Sequence, residues 1–294
     1  MKNSLFLSDV TVLDCAIASG DRRAPIRGAS YNLGFHISGE VDEHEQVVVD
    51  FSQIKKQIKA IIDHKEWGLD HKFLIQSDAS YVGGPENSEY IDLFINDFDL
   101  LVPSNSVNFI NSSLHGQFIG KFVQDKLKSE YGLDCTVECF MDEEMKTPYS
   151  IVDVFKNKFR SVHGLPKSSS WGCQNICHGH NSFALALRKG DVQIPAASHI
   201  ISDYYSNAFI YAKEFVTEYS EVYEIEYTTE RGTFCMRIPK DKKVILLEKE
   251  PTIENMVEHV IKENYSGLLG LGVDKVFISE GLKKGSYMNM ADFK

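Results

Sequence analysis

Residues 173–183 read CQNICHGHNSF. On extended backbone, side chains two positions apart leave the same face, so His178 and His180 can grip a single ion if this stretch is a strand. A helix would swing them about 200° apart. The FALAL that follows within NSFALAL, residues 183–187, is apolar and unbroken, which favours the strand. A catalytic zinc takes three protein ligands and keeps one position open, and His163, closing FRSVH at 159–163, is the nearest third ligand. Cys173 and Cys177 raise a rival, a closed Cys2His2 centre, although C-x3-C running straight into H-x-H does not match the usual finger spacing.

The bulk numbers narrow the function classes. A chain of 294 residues suits one large domain or two of ordinary size. Lys and Arg total 31 against 42 Asp and Glu, a net charge of −11, which argues against a broad nucleic-acid surface or a polybasic membrane anchor. No apolar run is long enough to cross a bilayer, and MKNSLFLSDVTVLD is too interrupted for a secretory leader, so a soluble cytoplasmic protein is expected. Six cysteines in a chain of this length do not make a disulfide framework, and reduced thiols are expected.

The pattern of elements occurs twice. Residues 10–16 and 31–37 read as strands, and SQIKKQIKAIIDH carries Ile54, Ile58, Ile61 and Ile62 at helical spacing. A hairpin-like DLFINDFDLLV follows, then a helix with Phe118, Ile119, Phe122, Val123 and Leu127 on one face, then the strand DCTVECFM. The second half offers KNKFRSVHG and NSFALAL as strands and SNAFIYAKEFV as a helix. It continues with a hairpin-like FCMRIPKDKKVILL, the helix IENMVEHVIKENY with Thr252 as its N-cap, and the strand KVFISE. The expectation is an α+β protein built by internal duplication, each unit an antiparallel sheet with two helices on one face.

Taken together, FRSVH, a following cysteine, HGHN, PTIEN and VFISE resemble the 6-pyruvoyl-tetrahydropterin synthase and 6-carboxy-tetrahydropterin synthase (QueD) family, whose unit is the tunnelling fold (T-fold). The family's helix ending in Asp-His has its likeness in DFSQIKKQIKAIIDHKEWGLDHKFLI, which lies upstream of the histidines, in the first half. The resemblance implies two tandem T-fold units, each an antiparallel four-stranded sheet with two helices on one face. Residues 1–148 would be a degenerate repeat that keeps Asp70 and His71, and residues 149–294 the repeat that binds zinc. LDCAI stands in the place of FRSVH and RGASY in that of HGHNS, so Ile17, Arg27 and Ala29 occupy the ligand positions of the first half. Met141 there falls where Glu280 falls in the second, which implies that the first half has lost the terminal glutamate. After ISDYYSNAFIYAKEFV no Asp-His follows, so one repeat would complete the other's site.

By the same resemblance Zn2+ is held by His163, His178 and His180, Cys173 is the proton-abstracting base, Asp70 and His71 form its relay, and Glu280 holds the pterin. Cys177, directly before His178, points to the opposite face and is the weaker base. The implied activity is a zinc-dependent lyase acting on 7,8-dihydroneopterin triphosphate and yielding 6-carboxytetrahydropterin on the route to 7-deazaguanines of the queuosine type. Pyruvoyl formation by the same machinery, or pterin or purine binding without turnover, are the alternatives. Lys283, Lys284, Arg160 and Lys167 are available to a triphosphate, and the sequence does not choose among them. Homo-oligomers closing a barrel are implied, with no nucleic-acid or membrane partner.

Overall fold

The computed structural model describes residues 2–42, 44, 46–79, 81–82, 89–111, 113–149 and 157–293. Most of the expected GGPENSEY connection and the residues just after the expected 148/149 boundary lie outside them.

In the first half, β1 (Lys2–Ala18) and β2 (Ile26–Glu40) form a long antiparallel pair. Helix α1 (Phe51–Ile62) starts where Asp50 accepts the Gln53 N–H, and it buries the stripe Ile54, Ile58, Ile61 and Ile62. Then come β3 (Phe73–Gln76), β4 (Tyr81–Val82), β5 (Tyr90–Ile95), β6 (Phe98–Pro103) and β7 (Val107–Ile110). Helix α2 (Gly116–Tyr131), closed by Gly132 at φ +68°, and β8 (Thr136–Asp142) end the half. The main sheet has the order β7-β3-β1-β2-β8.

The second half runs β9 (Lys158–His163), β10 (His178–Arg188), β11 (Val192–Gln193), α3 (Pro195–Tyr205) and β12 (Ala208–Ala212). It continues through β13 (Val216–Glu218), β14 (Val222–Thr229), β15 (Gly232–Pro239), β16 (Val244–Leu247), α4 (Ile253–Gly270), β17 (Lys275–Glu280) and β18 (Lys284–Asn289). Its main sheet has the order β16-β12-β9-β10-β17-β18, with β11 beside β10. The hairpins of the two halves join in a third sheet, β13-β14-β15-β6-β5-β4, whose order reads the same from either end once the halves are exchanged.

Three expectations need correction. The main sheets are mixed rather than purely antiparallel and four-stranded: β3 runs parallel to β1, and β12 parallel to β9. Each arrives after a helical connection and lands on the side of its partner away from the hairpin, where parallel pairing is open to it. The helix expected over SNAFIYAKEFV is instead α3, one segment earlier, with Pro195 in its first turn, followed by β12. Every residue of β12 is buried, so a central strand presented no alternation to read. Finally, the two runs of FCMRIPKDKKVILL do not pair with each other: β15 joins β14 and β6, whereas β16 joins β12.

Each half has its own core between main sheet and helices, around Leu13, Phe35 and Ile58 in the first and Ala186, Val260 and Ile278 in the second. A third core belongs to both, since Ala16, Phe73 and Phe98 of the first half pack with Val162, Phe209 and Met236 of the second. The halves meet most closely at Gly28 on β2 and Gly179 on β10. A methyl group at Gly28 would overlap the carbonyl of Ser161 and the backbone of His180, and one at Gly179 would overlap Gly28 itself.

Register relates the halves rung by rung. The His71 N–H donates to the Asp14 carbonyl (2.7 Å), and the Asn207 N–H donates to the Arg160 carbonyl (2.8 Å). Both donors sit in the left-handed region, at φ 57° and 55°. With those pairs matched, the rung Ile17↔Arg27 corresponds to His163↔His178, and Cys15↔Ala29 to Ser161↔His180. The counterpart of Asp70-His71 is therefore Ser206-Asn207, before β12 and not after it. Continuing the register, Leu33↔Met141 corresponds to Ala184↔Ile278, which sets Glu143, two residues beyond Met141, opposite Glu280. The first half has thus kept a glutamate at this place. It accepts from Arg160 (3.2 Å) and Asn181 (2.8 Å), the counterparts of Asp14 and Ser30.

Candidate active site

His163 closes β9, and His178 and His180 open β10 directly across from it, so that the β9–β10 ladder alone assembles three imidazoles. One nitrogen from each lies within 4.8 Å of the others, and all three residues are buried. Both ring nitrogens of His163 and of His180, and Nδ1 of His178, are buried without a well-aligned hydrogen bond. Each ring presents one nitrogen to a common point, and because buried polar atoms are ordinarily satisfied, the trio fits a cation. Burial, reinforced by neighbouring charges, pushes the pKa of His163 and His178 well below the usual imidazole range, which keeps them neutral and able to ligate.

The first half supplies the other side of the site. Asp70 accepts the Asp14 N–H through Oδ1 (2.8 Å) and holds Nδ1 of His71 through Oδ2. The His71 ring stacks on His178, with centroids 4.5 Å apart and planes 9° from parallel. His71, Cys173 and His178 also bring ligand atoms within 4.8 Å. Imidazole lone pairs lie in the ring plane, and two nearly parallel stacked rings cannot aim at one ion, so this second trio is not arranged as a metal seat. Burial disfavours a charged His71, but hydrogen bonds to Asp70 and Cys173 raise its pKa to about 10. Burial likewise opposes a Cys173 thiolate, and hydrogen bonds from His71 and Ser170 overcome it and lower the thiol.

Cys173 sits in the loop between β9 and β10, in a single helical turn over Gly172–Gln174. Cys177 turns away into the core shared by the halves, 3.7 Å from the Met236 sulfur, and burial raises its pKa. That removes the closed Cys2His2 arrangement. Glu280, at the end of β17, reaches to 3.9 Å from Nε2 of His180 and pairs with Lys284 at 3.1 Å. Of the four cations left open by the sequence, three are engaged elsewhere: Lys283 with Asp9 and Asn32, Arg160 with Glu143, and Lys167 with Glu214. Only Lys284 stands among the site residues. Burial opposes its charge, but Glu280 and Asp14 raise its pKa.

Asp14 was missed by sequence reasoning. It is buried, lies 3.3 Å from Nδ1 of His180, and accepts from Ser30, its partner across the β1–β2 ladder. Burial works against its carboxylate, yet the neighbouring His180 ring and the hydrogen bond from Ser30 hold its pKa at about 2. A carboxylate behind a metal-binding imidazole fixes the ring and raises its basicity. The available signal was an acid within the buried apolar run VTVLDCAIA.

Residues 14–97 match the family model described as 6-pyruvoyl tetrahydropterin synthase. No curated protein matches. Among solved structures, a catalytic-residue mutant of 6-pyruvoyltetrahydropterin synthase from Plasmodium vivax is similar at 20% identity over 49% of this chain and 92% of its own, with a TM-score of 0.37. The corresponding enzyme of Plasmodium falciparum is similar at 20% identity over 48% and 91%, with a TM-score of 0.36. Residues 14–97, the stretch similar to the 6-pyruvoyl tetrahydropterin synthase family, hold Asp14, Asp70 and His71.

Proposed function

We propose that this chain is a zinc-dependent lyase of the 6-carboxy-tetrahydropterin synthase (QueD) type, acting on 7,8-dihydroneopterin triphosphate in the cytoplasm as a homo-oligomer of two-unit chains. Residues 1–148 and 149–294 would be the two T-fold units, the second holding the ion and the first lending Asp70 and His71. The observation that carries this reading is the stacking of His71 on His178 within reach of Cys173, because it joins the two incomplete halves in one constellation.

His163, His178 and His180 would hold the zinc, which when bound supplies Lewis acidity at the hydroxyls of the substrate side chain. The Cys173 thiolate takes the proton from carbon, and His71, its ring fixed through Nδ1 by Asp70, receives or returns it. Glu280 accepts the N3–H and 2-amino group of the pterin in a two-pronged contact, giving up Lys284 to do so. The released ammonium is then free for a phosphate oxygen or the developing charge.

The test is mass-spectrometric identification of products after zinc-loaded protein meets dihydroneopterin triphosphate. A 6-carboxytetrahydropterin product supports the reading, and a 6-pyruvoyl product transfers it to the sister reaction. Pterin binding without either product, in folded zinc-loaded protein, ends the lyase reading. His178→Ala and His71→Ala should each lower turnover by at least about 100-fold. Full activity in His71→Ala would sink the site shared between halves.

A further inference from the structure

Arg231, in the turn between β14 and β15, is only 6% exposed, and Lys72, the residue after His71, is 0% exposed. Neither makes a salt bridge among the described residues, an unusual state for two buried cations. Their terminal nitrogens donate to backbone carbonyls. Arg231 reaches Trp171 O (3.3 Å) and Gly172 O (3.4 Å) with one guanidinium nitrogen and Asn105 O (3.3 Å) with another, and its Cζ lies 3.8 Å from the centre of the Trp171 ring. Lys72 donates to the carbonyls of Lys65, Glu66 and Asn105, with its ammonium 5.1 Å from the same ring.

The segments so joined are those that set the Cys173–His71 contact. Trp171 and Gly172 directly precede Cys173, Lys72 directly follows His71, and both cations meet at the carbonyl of Asn105. Asn175 adds a stitch, donating to the carbonyls of His71 (3.3 Å) and Ser106 (2.9 Å). Gly172 packs so closely that a side chain there would run into the Cβ of His71.

We propose that Arg231 and Lys72 are positioning residues: through Trp171 and Asn105 they lock the Cys173 loop of the second half onto the His71 segment of the first, and so fix the thiol against the imidazole. Neither touches substrate or ion. The guanidinium suits the task because its two terminal nitrogens, fixed in one plane, reach the Trp171 and Gly172 carbonyls on one side and the Asn105 carbonyl on the other while the group lies against the Trp171 ring. The proposal rests on the reading that Cys173 and His71 act together.

It is tested by a double-mutant cycle on the full, zinc-loaded chain, read as the iodoacetamide alkylation rate of Cys173 at fixed pH by peptide mass spectrometry. His71→Asn is expected to change that rate about tenfold in the parent and less than about twofold in Arg231→Met, because a displaced loop no longer feels the imidazole. Turnover in Arg231→Met should fall about tenfold or more with KM within about twofold, and Arg231→Lys should recover part of both. If Arg231→Met does not fold, Arg231→Lys carries the comparison, with an intermediate His71 effect expected. A His71 effect of equal size in parent and variants overturns the proposal. Failure of the catalytic reading is separately visible: Cys173→Ser would then keep full turnover, while the alkylation cycle, which needs no turnover, still reports the lock.

Discussion

Asp14 shows how far single residues can be read. His178 and His180 were legible because the chemistry lies within three consecutive residues and needs only strand geometry. Asp14 meets His180 from 166 positions away, across the junction between halves, and nothing local to either announces the other. Replacing Asp14 with Asn keeps the shape and removes the charge behind His180. Zinc affinity, measured by chelator competition, is expected to drop about 10- to 100-fold, and an unchanged affinity would remove Asp14 from the metal's surroundings. Glu143 is a milder case: the sequence pointed to the right strand but stopped two residues short, because β8 ends before its glutamate just as the register carries on.

Among the elements, the amphipathic ones were legible, and of the buried strands β10 was and β12 was not. Helix α1 has one apolar stripe and a capping aspartate, and its bounds follow from them. Strand β12 is apolar on both faces and was taken for a helix, which also misplaced the counterpart of Asp70-His71. Helices α3 and α4 meet through the Tyr204 hydroxyl and Nε2 of His259, 2.9 Å apart. Burial lowers the His259 pKa below its usual value, so the folded protein holds this ring neutral while the unfolded chain protonates it near pH 6.5. Between the two pKa values the unfolded state binds the extra proton, so this contact's stability is complete above about pH 6.5 and declines as pH falls through it. Urea unfolding of the parent and His259→Gln, compared across this range, should show the parent losing more stability on acidification. Parallel curves would refute the assignment.

At the scale of the whole molecule, the duplicated order was visible in the sequence, but the third sheet was not. Hairpin edges carry no local mark of their partner, and here β6 pairs with β15 from the other half. No helix among the described residues is long and apolar enough to cross a membrane. The close approach of Gly28 and Gly179 is one place where the halves depend on one another. Gly28→Val has to part β2 from the backbone at Ser161 and His180, and a loss of more than about 4 kcal/mol in unfolding free energy is expected, together with loss of bound zinc. Calorimetry and metal analysis check both, and a variant with parental stability and zinc content would mean that the halves separate at little cost.

His71 and Cys173 belong to one chain, and that has a genetic consequence. Where an active site is shared between separate subunits, two differently damaged alleles can rescue each other, since mixed assemblies rebuild some intact sites. Here an allele damaged at His71 and another damaged at His178 each spoil the one constellation their own product contains. Co-expression of the two should therefore restore no activity, whatever the number of chains in the assembly, and heterozygotes carrying them should behave as nulls.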